Sequence, residues 1–354
     1  MNYRHTYLKI NRTAIRHNIK TVKAATGKQL IGVIKANGYG VGDLEMAKLL
    51  IEGGAFMLAV SSLDEALHLR NNGIRQDILV VGYVAAEDIK VAKEKNIVLS
   101  VISLDWVSKL NAYGPQGLRV HMKIDTKINR FGINSIGDFN KTLALLREMQ
   151  VSIEGAYTQY ADSEAADNII TSQQYELFKQ YIKQAYFNFK WLHTSNSEAC
   201  FHFREDELTN AVRVGMALLG YIAYRDDLRL AVSLYTRIAM VKKVPEGQTV
   251  GYGCTYTTRK DELIATLPIG YADGLFRRNQ NRYVLVNSHK AEIVGRICMD
   301  HCMISLNQSA EVGDEVEVFG AHIPLMTMAE ELGSSPCEIL TLIAPRVERI
   351  FYED

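Results

Sequence analysis

Residues 34–42 read IKANGYGVG, a lysine at the end of an apolar run followed by three glycines. Lys35 admits two readings. It is a solvated lysine at a strand end, the ordinary fate of this residue type. Alternatively it is a Schiff-base lysine, whose amine gives up its proton more easily when desolvated near other cations. Gly38, Gly40 and Gly42 permit close backbone approach and unusual φ, as beside a bound cofactor. Arg130 and Arg213 are the cationic neighbours such a lysine would need. Tyr39, Ser197 and Gly215 offer hydroxyls and a bare backbone N–H, donors that suit a phosphate.

These residues lie far apart in the chain, so the elements must gather them. Short β-rich runs alternate with amphipathic helical runs. The strand candidates are 30–35, 55–62, 77–84, 97–103, 118–125, 151–158, 189–196 and 210–215. Most are continuous apolar runs, as in strands buried on both faces. Helical stretches at 43–54 and 62–73 end on glycine, and the second starts with a Ser-x-x-Glu capping pattern. Eight such units within about 215 residues predict a (β/α)8 barrel. A doubly wound open sheet is the alternative, disfavoured by the count and by the lack of a GxGxxG turn. Beyond about residue 228 helical periodicity fades and short alternating strands take over, with two short helices near 326–333 and 336–343. The expected division is a barrel over 1–228 and a mostly β C-terminal domain over 229–354.

Barrel sites lie at the C-terminal strand ends. There the sequence puts Lys35 and Tyr39, then Asp125 and Arg130, Tyr157 and Gln159, His193 and Ser197, and finally Arg213, Gly215 and Met216. Polar groups at one end of an apolar barrel read as a site. With 40 basic and 40 acidic residues the net charge is zero, which gives no case for nucleic acid or an anionic membrane as partner. No apolar run is long enough to span a bilayer, and the first residues do not read as a signal peptide. Five scattered cysteines fit a reducing cytoplasm. Cys298, His301 and Cys302 cluster, but no second ligand pair has zinc spacing, so no metal is expected.

Beyond these readings, VIKANGYGVG resembles the pyridoxal-phosphate attachment motif of the alanine racemases. KIDTKINRFGI, NAVRVGMALLG, VGYGCTYT, LPIGYADGLFRR and VGRICMDHCMISL resemble further segments of that family in the same order. The resemblance implies a pyridoxal 5'-phosphate enzyme that interconverts L- and D-alanine and supplies D-alanine for peptidoglycan. It implies that Lys35 holds the cofactor and is one base, and that Tyr252 is the base on the opposite face. Arg213 would bind the pyridine nitrogen, and Arg130 the cofactor's phenolic oxygen and the substrate carboxylate. Tyr39, Ser197, Gly215 and Met216 would hold the phosphate, while Tyr271, Met299 and Asp300 would line the substrate pocket. A homodimer is implied, with the second domain reaching into the partner's barrel. Lys123 matches a lysine that is carbamylated in some members. Taken singly, Tyr252 could be a hairpin tyrosine, Met299 core filler and Arg213 a buried ion-pair partner.

Two positions depart from the family pattern. Gln159 stands where a histidine is usual, so a group that titrates near neutral pH is replaced by one that does not. Pro345 stands where a tyrosine is usual, removing a hydroxyl from the pocket mouth. These departures keep open a serine or broader racemase of the same fold. A non-catalytic cofactor-binding protein is a further alternative, and one that would need no Tyr252.

Overall fold

The computed structural model describes residues 3–165, 167–222 and 225–354. Eight strands close a parallel barrel in chain order: β2 (Gln29–Val33), β3 (Met57–Val60), β4 (Asp77–Val80), β5 (Val98–Val101), β6 (Arg119–Lys123), β7 (Ser152–Tyr157), β8 (Trp191–His193) and β9 (Ala211–Val214). Closure joins β2 to β9, with Ile31 opposite Arg213. Every residue of β3, β5 and β9 is buried, so these strands do not alternate apolar with exposed polar residues; Ser100 and Arg213 are their buried polar members.

The helices start where the sequence supplies caps. Ser62 and Glu65 form the expected capping box on the helix Leu63–Asn71, and the Ser103 and Ser135 side chains cap later helices by accepting from Trp106 N and Asp138 N. The helix Asp43–Glu52 packs directly on the β2 backbone. A side chain at Gly32 would come within 2.4 Å of Leu50. Between β8 and β9 the outer helix shrinks to Ala199–His202.

The chain divides into two compact units, and the division differs from 1–228 and 229–354 at its start. One unit is Ile15–Arg229, the barrel. The other joins the residues up to Ala14 to Leu230–Asp354. The strand β1 (Tyr7–Asn11) pairs antiparallel with Val232–Arg237 and parallel with Glu348–Tyr352. Five residues whose partners lie hundreds of positions away leave no periodic signal, so the barrel had been expected to begin at the first residue. The β unit is a nine-stranded sheet and a small hairpin. Val232–Arg237 and Cys302–Leu306 alternate buried with half-buried residues, the pattern of a sheet with one covered face. Its helices are Leu325–Leu332 and Pro336–Thr341.

Candidate active site

Lys35 does not end β2, contrary to the sequence expectation. The strand stops at Val33, and Lys35 opens a tight turn over Lys35–Tyr39. Ile34 extends the apolar run because it is buried beneath this turn. The turn is left-handed: φ is 52° at Ala36, 55° at Asn37, 62° at Gly38 and 57° at Tyr39. Left-handed helical geometry costs roughly 1–2 kcal/mol for each residue bearing a Cβ, so Ala36, Asn37 and Tyr39 store strain here. Backbone bonds oppose it, from Gly38 N to Ile34 O (2.9 Å), Gly40 N to Ala36 O (2.9 Å) and Gly42 N to Asn37 O (2.8 Å).

The turn aims Tyr39 across the barrel mouth to β9. A Cβ on Gly215 would lie 2.5 Å from the Tyr39 hydroxyl oxygen and ring edge, so only glycine fits beneath that ring. Ser197 Oγ accepts hydrogen bonds from Gly215 N (3.0 Å) and Ala217 N (3.3 Å), tying the segment after β8 to the single turn Met216–Leu219. The Lys35 Nζ lies 6.0 Å from the Tyr39 ring centre.

The barrel interior is polar around Arg213. Its Nη1 donates to His193 O (2.7 Å) and His193 Nδ1 (2.8 Å), and its Nη2 to Thr158 O (2.7 Å), Thr194 O (2.9 Å) and Gln159 Oε1 (3.1 Å). These acceptors are neutral, so Arg213 is not the ion-pair partner it could have been, and its Nε takes no part in the bonds. A guanidinium only donates, so His193 Nδ1 accepts and its Nε2 carries the proton. That proton points at His121 Nδ1, 2.8 Å away. His121 therefore carries its own proton on Nε2, a buried atom without a partner among the described residues. Burial pushes His193 well below its ordinary value and His121 down to about 3. Tyr157 stacks on His193 at 4.9 Å between centroids and shares a 2.7 Å bond with Ser100. Burial pushes its phenol up to about 12.

Lys123, the last residue of β6, is buried against the rings of Phe131 (5.5 Å) and Tyr157 (5.6 Å). Burial, reinforced by Arg130 and Arg213, lowers its ammonium pKa from 10.5 to about 8. The Arg130 loop is built by Asp125, whose Oδ1 accepts from the N–H groups of Lys127 (3.0 Å), Ile128 (3.0 Å) and Asn129 (3.1 Å).

In the β unit, Tyr252 stands on a turn between Gly251 and Gly253, both with positive φ, and is 70% exposed. Met299 is 54% exposed and so is not core filler, and Tyr271 is 39% exposed. Their loops are stitched together by Tyr271 N to Cys298 O (3.1 Å) and Ala272 N to Met299 O (3.0 Å). Arg346 donates from Nε to the buried Asp273 (2.7 Å) and from Nη2 to Asp300 (2.8 Å). Pro345, exposed, sits beside this bridge.

Lys35, Tyr39, Arg130, Gln159, Ser197, Arg213, Gly215 and Met216 thus belong to the barrel unit, at or just beyond C-terminal strand ends or, for Arg213, on the last strand. Tyr252, Tyr271, Met299 and Asp300 belong to the β unit. Sequence reasoning missed three residues. His121 shares a strand face with Lys123, a signal that alternation could have given. Glu205, whose side chain is 1% exposed, accepts from Tyr160 (2.7 Å), Ser195 (2.7 Å), Thr209 (2.6 Å), Lys28 (2.7 Å) and Thr194, and so braces the segments flanking Arg213. Glu65 had been read only as a helix cap.

The family model described as the alanine racemase N-terminal domain matches residues 10–223, and the one for the alanine racemase C-terminal domain matches residues 231–351. The chain is 37% identical to an alanine racemase of Geobacillus kaustophilus, over 99% of this chain and 96% of that protein. Among solved structures it resembles an alanine racemase of Bacillus anthracis with bound L-Ala-P (TM-score 0.93, 34% identity, 99% of this chain and 95% of that one). It also resembles a histidine racemase of Leuconostoc mesenteroides (TM-score 0.92, 27% identity, 99% and 98%).

Proposed function

This chain belongs to the alanine racemase family and is a racemase, an isomerase; on that premise we propose that it interconverts L- and D-alanine with pyridoxal 5'-phosphate and two bases. The residues present fit this cofactor. The Tyr39 hydroxyl, packed over Gly215, and the Ser197 hydroxyl, bonded to Gly215 N, are donors that would hold a phosphate. Arg213 is held by neutral acceptors with Nε left over, a donor for the pyridine nitrogen. When bound, pyridoxal phosphate supplies an aldehyde that condenses with an amine and a ring that spreads the charge left when a Cα proton departs.

Lys35 supplies the attaching amine and then holds or returns the Cα proton on one face. Tyr252 serves the other face, since inversion requires the proton to leave on one side and return on the other. Arg213 keeps its own protons and leaves the pyridine nitrogen unprotonated, which restrains the ring as an electron sink. Arg130 steadies the substrate carboxylate, and Tyr271, Met299 and Asp300 line the pocket. Gln159 spends its Oε1 on Arg213 and one amide N–H on Tyr160 O (3.4 Å), so its second amide N–H is what it would offer the site, a donor at every pH.

The single observation that carries this reading is the strained Lys35 turn seated through Tyr39 on Gly215. Tyr252, Tyr271 and Met299 are unusually exposed for their type, which supports a homodimer in which a second copy covers them. The product would serve peptidoglycan synthesis in the cytoplasm. Among the described residues, no helix is long and apolar enough to cross a membrane. A serine or broader range is the second reading, favoured by Pro345 at the pocket mouth and by the likeness to a histidine racemase. A cofactor-binding protein without catalysis fits less well, because it has no use for Tyr252.

The test is α-proton exchange in D₂O across a panel of amino acids, with cofactor added. Exchange and racemisation of alanine, abolished by Lys35→Ala, are expected. Undiminished racemisation by Lys35→Ala would refute the proposal, and faster exchange of another amino acid would reassign the substrate.

A further inference from the structure

Glu65 makes more contacts than its capping role requires. A first-turn glutamate in a capping box needs one carboxylate oxygen, turned back to the N-cap backbone. Glu65 uses Oε2 for this, accepting from Ser62 N (3.3 Å), Ser61 N (2.7 Å) and Ser61 Oγ (2.9 Å). Its Oε1 points elsewhere, to the backbone N–H of Ala36 at 2.6 Å. That N–H belongs to the peptide joining Lys35 to Ala36, the point at which the chain enters left-handed geometry (Ala36 φ 52°, ψ 52°). Backbone bonds from Gly38, Gly40 and Gly42 close the turn, and the carboxylate takes the N–H of its first peptide.

We propose that Glu65 is a positioning residue that clamps the Lys35–Ala36 peptide, coupling the end of β3 to the lysine that presents its amine at the barrel mouth. The inference rests on reading Lys35 as the attachment lysine. A carboxylate accepting from a backbone N–H is among the stronger hydrogen bonds. Its loss lets Ala36 relax out of its strained φ, and Lys35 and Tyr39 move with it.

The test uses the full chain and pyridoxal phosphate as probe. Glu65→Ala removes both the clamp and the cap, Ser62→Ala removes only the cap's other half, and Glu65→Gln keeps one acceptor oxygen. Cofactor affinity is read from the absorbance of the bound cofactor, and amide exchange of the 34–42 peptide is read by mass spectrometry without cofactor. Glu65→Ala is expected to weaken cofactor binding on the order of tenfold or more and to speed exchange at 34–42. Ser62→Ala should lower Tm but change affinity less than twofold, and Glu65→Gln should recover part of the loss. Equal affinity losses in Glu65→Ala and Ser62→Ala, or unchanged exchange in Glu65→Ala, overturn the clamp. If the unmodified chain takes up no cofactor, the functional reading fails, and the exchange data alone decide on Glu65. If Glu65→Ala does not fold, Glu65→Gln is compared with Ser62→Ala by the same criteria.

Discussion

Gly215→Ala probes the contact on which the proposed phosphate cradle depends. The new methyl would sit 2.5 Å from Tyr39 Cε2 and Oη and 2.7 Å from Cζ. Ordinary carbon contacts begin near 3.5 Å, so the ring must retreat by roughly 1 Å. Tyr39 cannot do so through its backbone, which is fixed in the left-handed turn, and must leave its rotamer. Overpacking of this kind costs about 1–3 kcal/mol, or roughly 2–12 °C in Tm for a unit of this size. The assay is thermal unfolding in a double-mutant cycle with Tyr39→Ala, which removes the obstructing ring. Gly215→Ala should be strongly destabilising beside Tyr39 and nearly neutral beside Ala at position 39, a coupling of at least about 1 kcal/mol. Equal costs in the two backgrounds would refute the reasoning, because the penalty would then come from the Gly215 backbone and not from Tyr39.

Lys123→Met should stabilise the fold at neutral pH. The buried ammonium has its pKa lowered from 10.5 to about 8, so between those values the unfolded chain binds the extra proton and stability rises with pH. At 1.36 kcal/mol per pH unit the native chain is penalised by at most about 3 kcal/mol below pH 8. Unfolding measured with carbon dioxide excluded should show the variant's advantage shrinking from pH 8 to 10.5, and a pH-independent difference would count against a desolvated lysine. Gln159→His should add an ionisation between about pH 5 and 8 to the kcat/KM profile, and superimposable profiles would mean that position 159 does not touch the titrating network. Mixing Lys35→Ala with Tyr252→Phe subunits should restore about a quarter of wild-type activity. Half of randomly exchanged dimers are hybrids, and one of the two sites in each hybrid is intact. No recovery despite demonstrated exchange would place both bases in one chain.

The barrel was legible because its strands are buried on both faces and its helices carry caps, both local signals. Ser62 with Glu65 announced a helix start, and seven of the eight candidate runs contain a barrel strand whole, while 30–35 overlaps β2 from its second residue. Lys35 could be singled out by its residue type but not placed. An apolar run cannot show that the strand has ended two residues earlier, because Ile34 is buried for another reason. Arg213 could be picked out by type, but its five neutral acceptors come from two segments, 158–159 and 193–194, that meet it only in the folded barrel. Glu205 and the second carboxylate oxygen of Glu65 act through contacts 4 to 177 residues away, and no motif along the chain marks them.

The strand Tyr7–Asn11 carries a consequence for biogenesis. It leaves the ribosome long before Glu348–Tyr352, with which it pairs, and its Asn11 bonds to Asp354 across a separation of 343 residues. At 5–20 residues per second, synthesis leaves this strand waiting roughly 15–70 s for that neighbour. Before that neighbour is made, the contiguous segment 15–229, which holds every barrel strand, is already complete. Leu8 and Ile10, fully buried in the finished sheet, meanwhile form part of an unpaired apolar edge of the kind that recruits chaperones or neighbouring nascent chains. The nascent protein is thus vulnerable at this strand, and its parallel partner is in place only once Glu348–Tyr352 has been made.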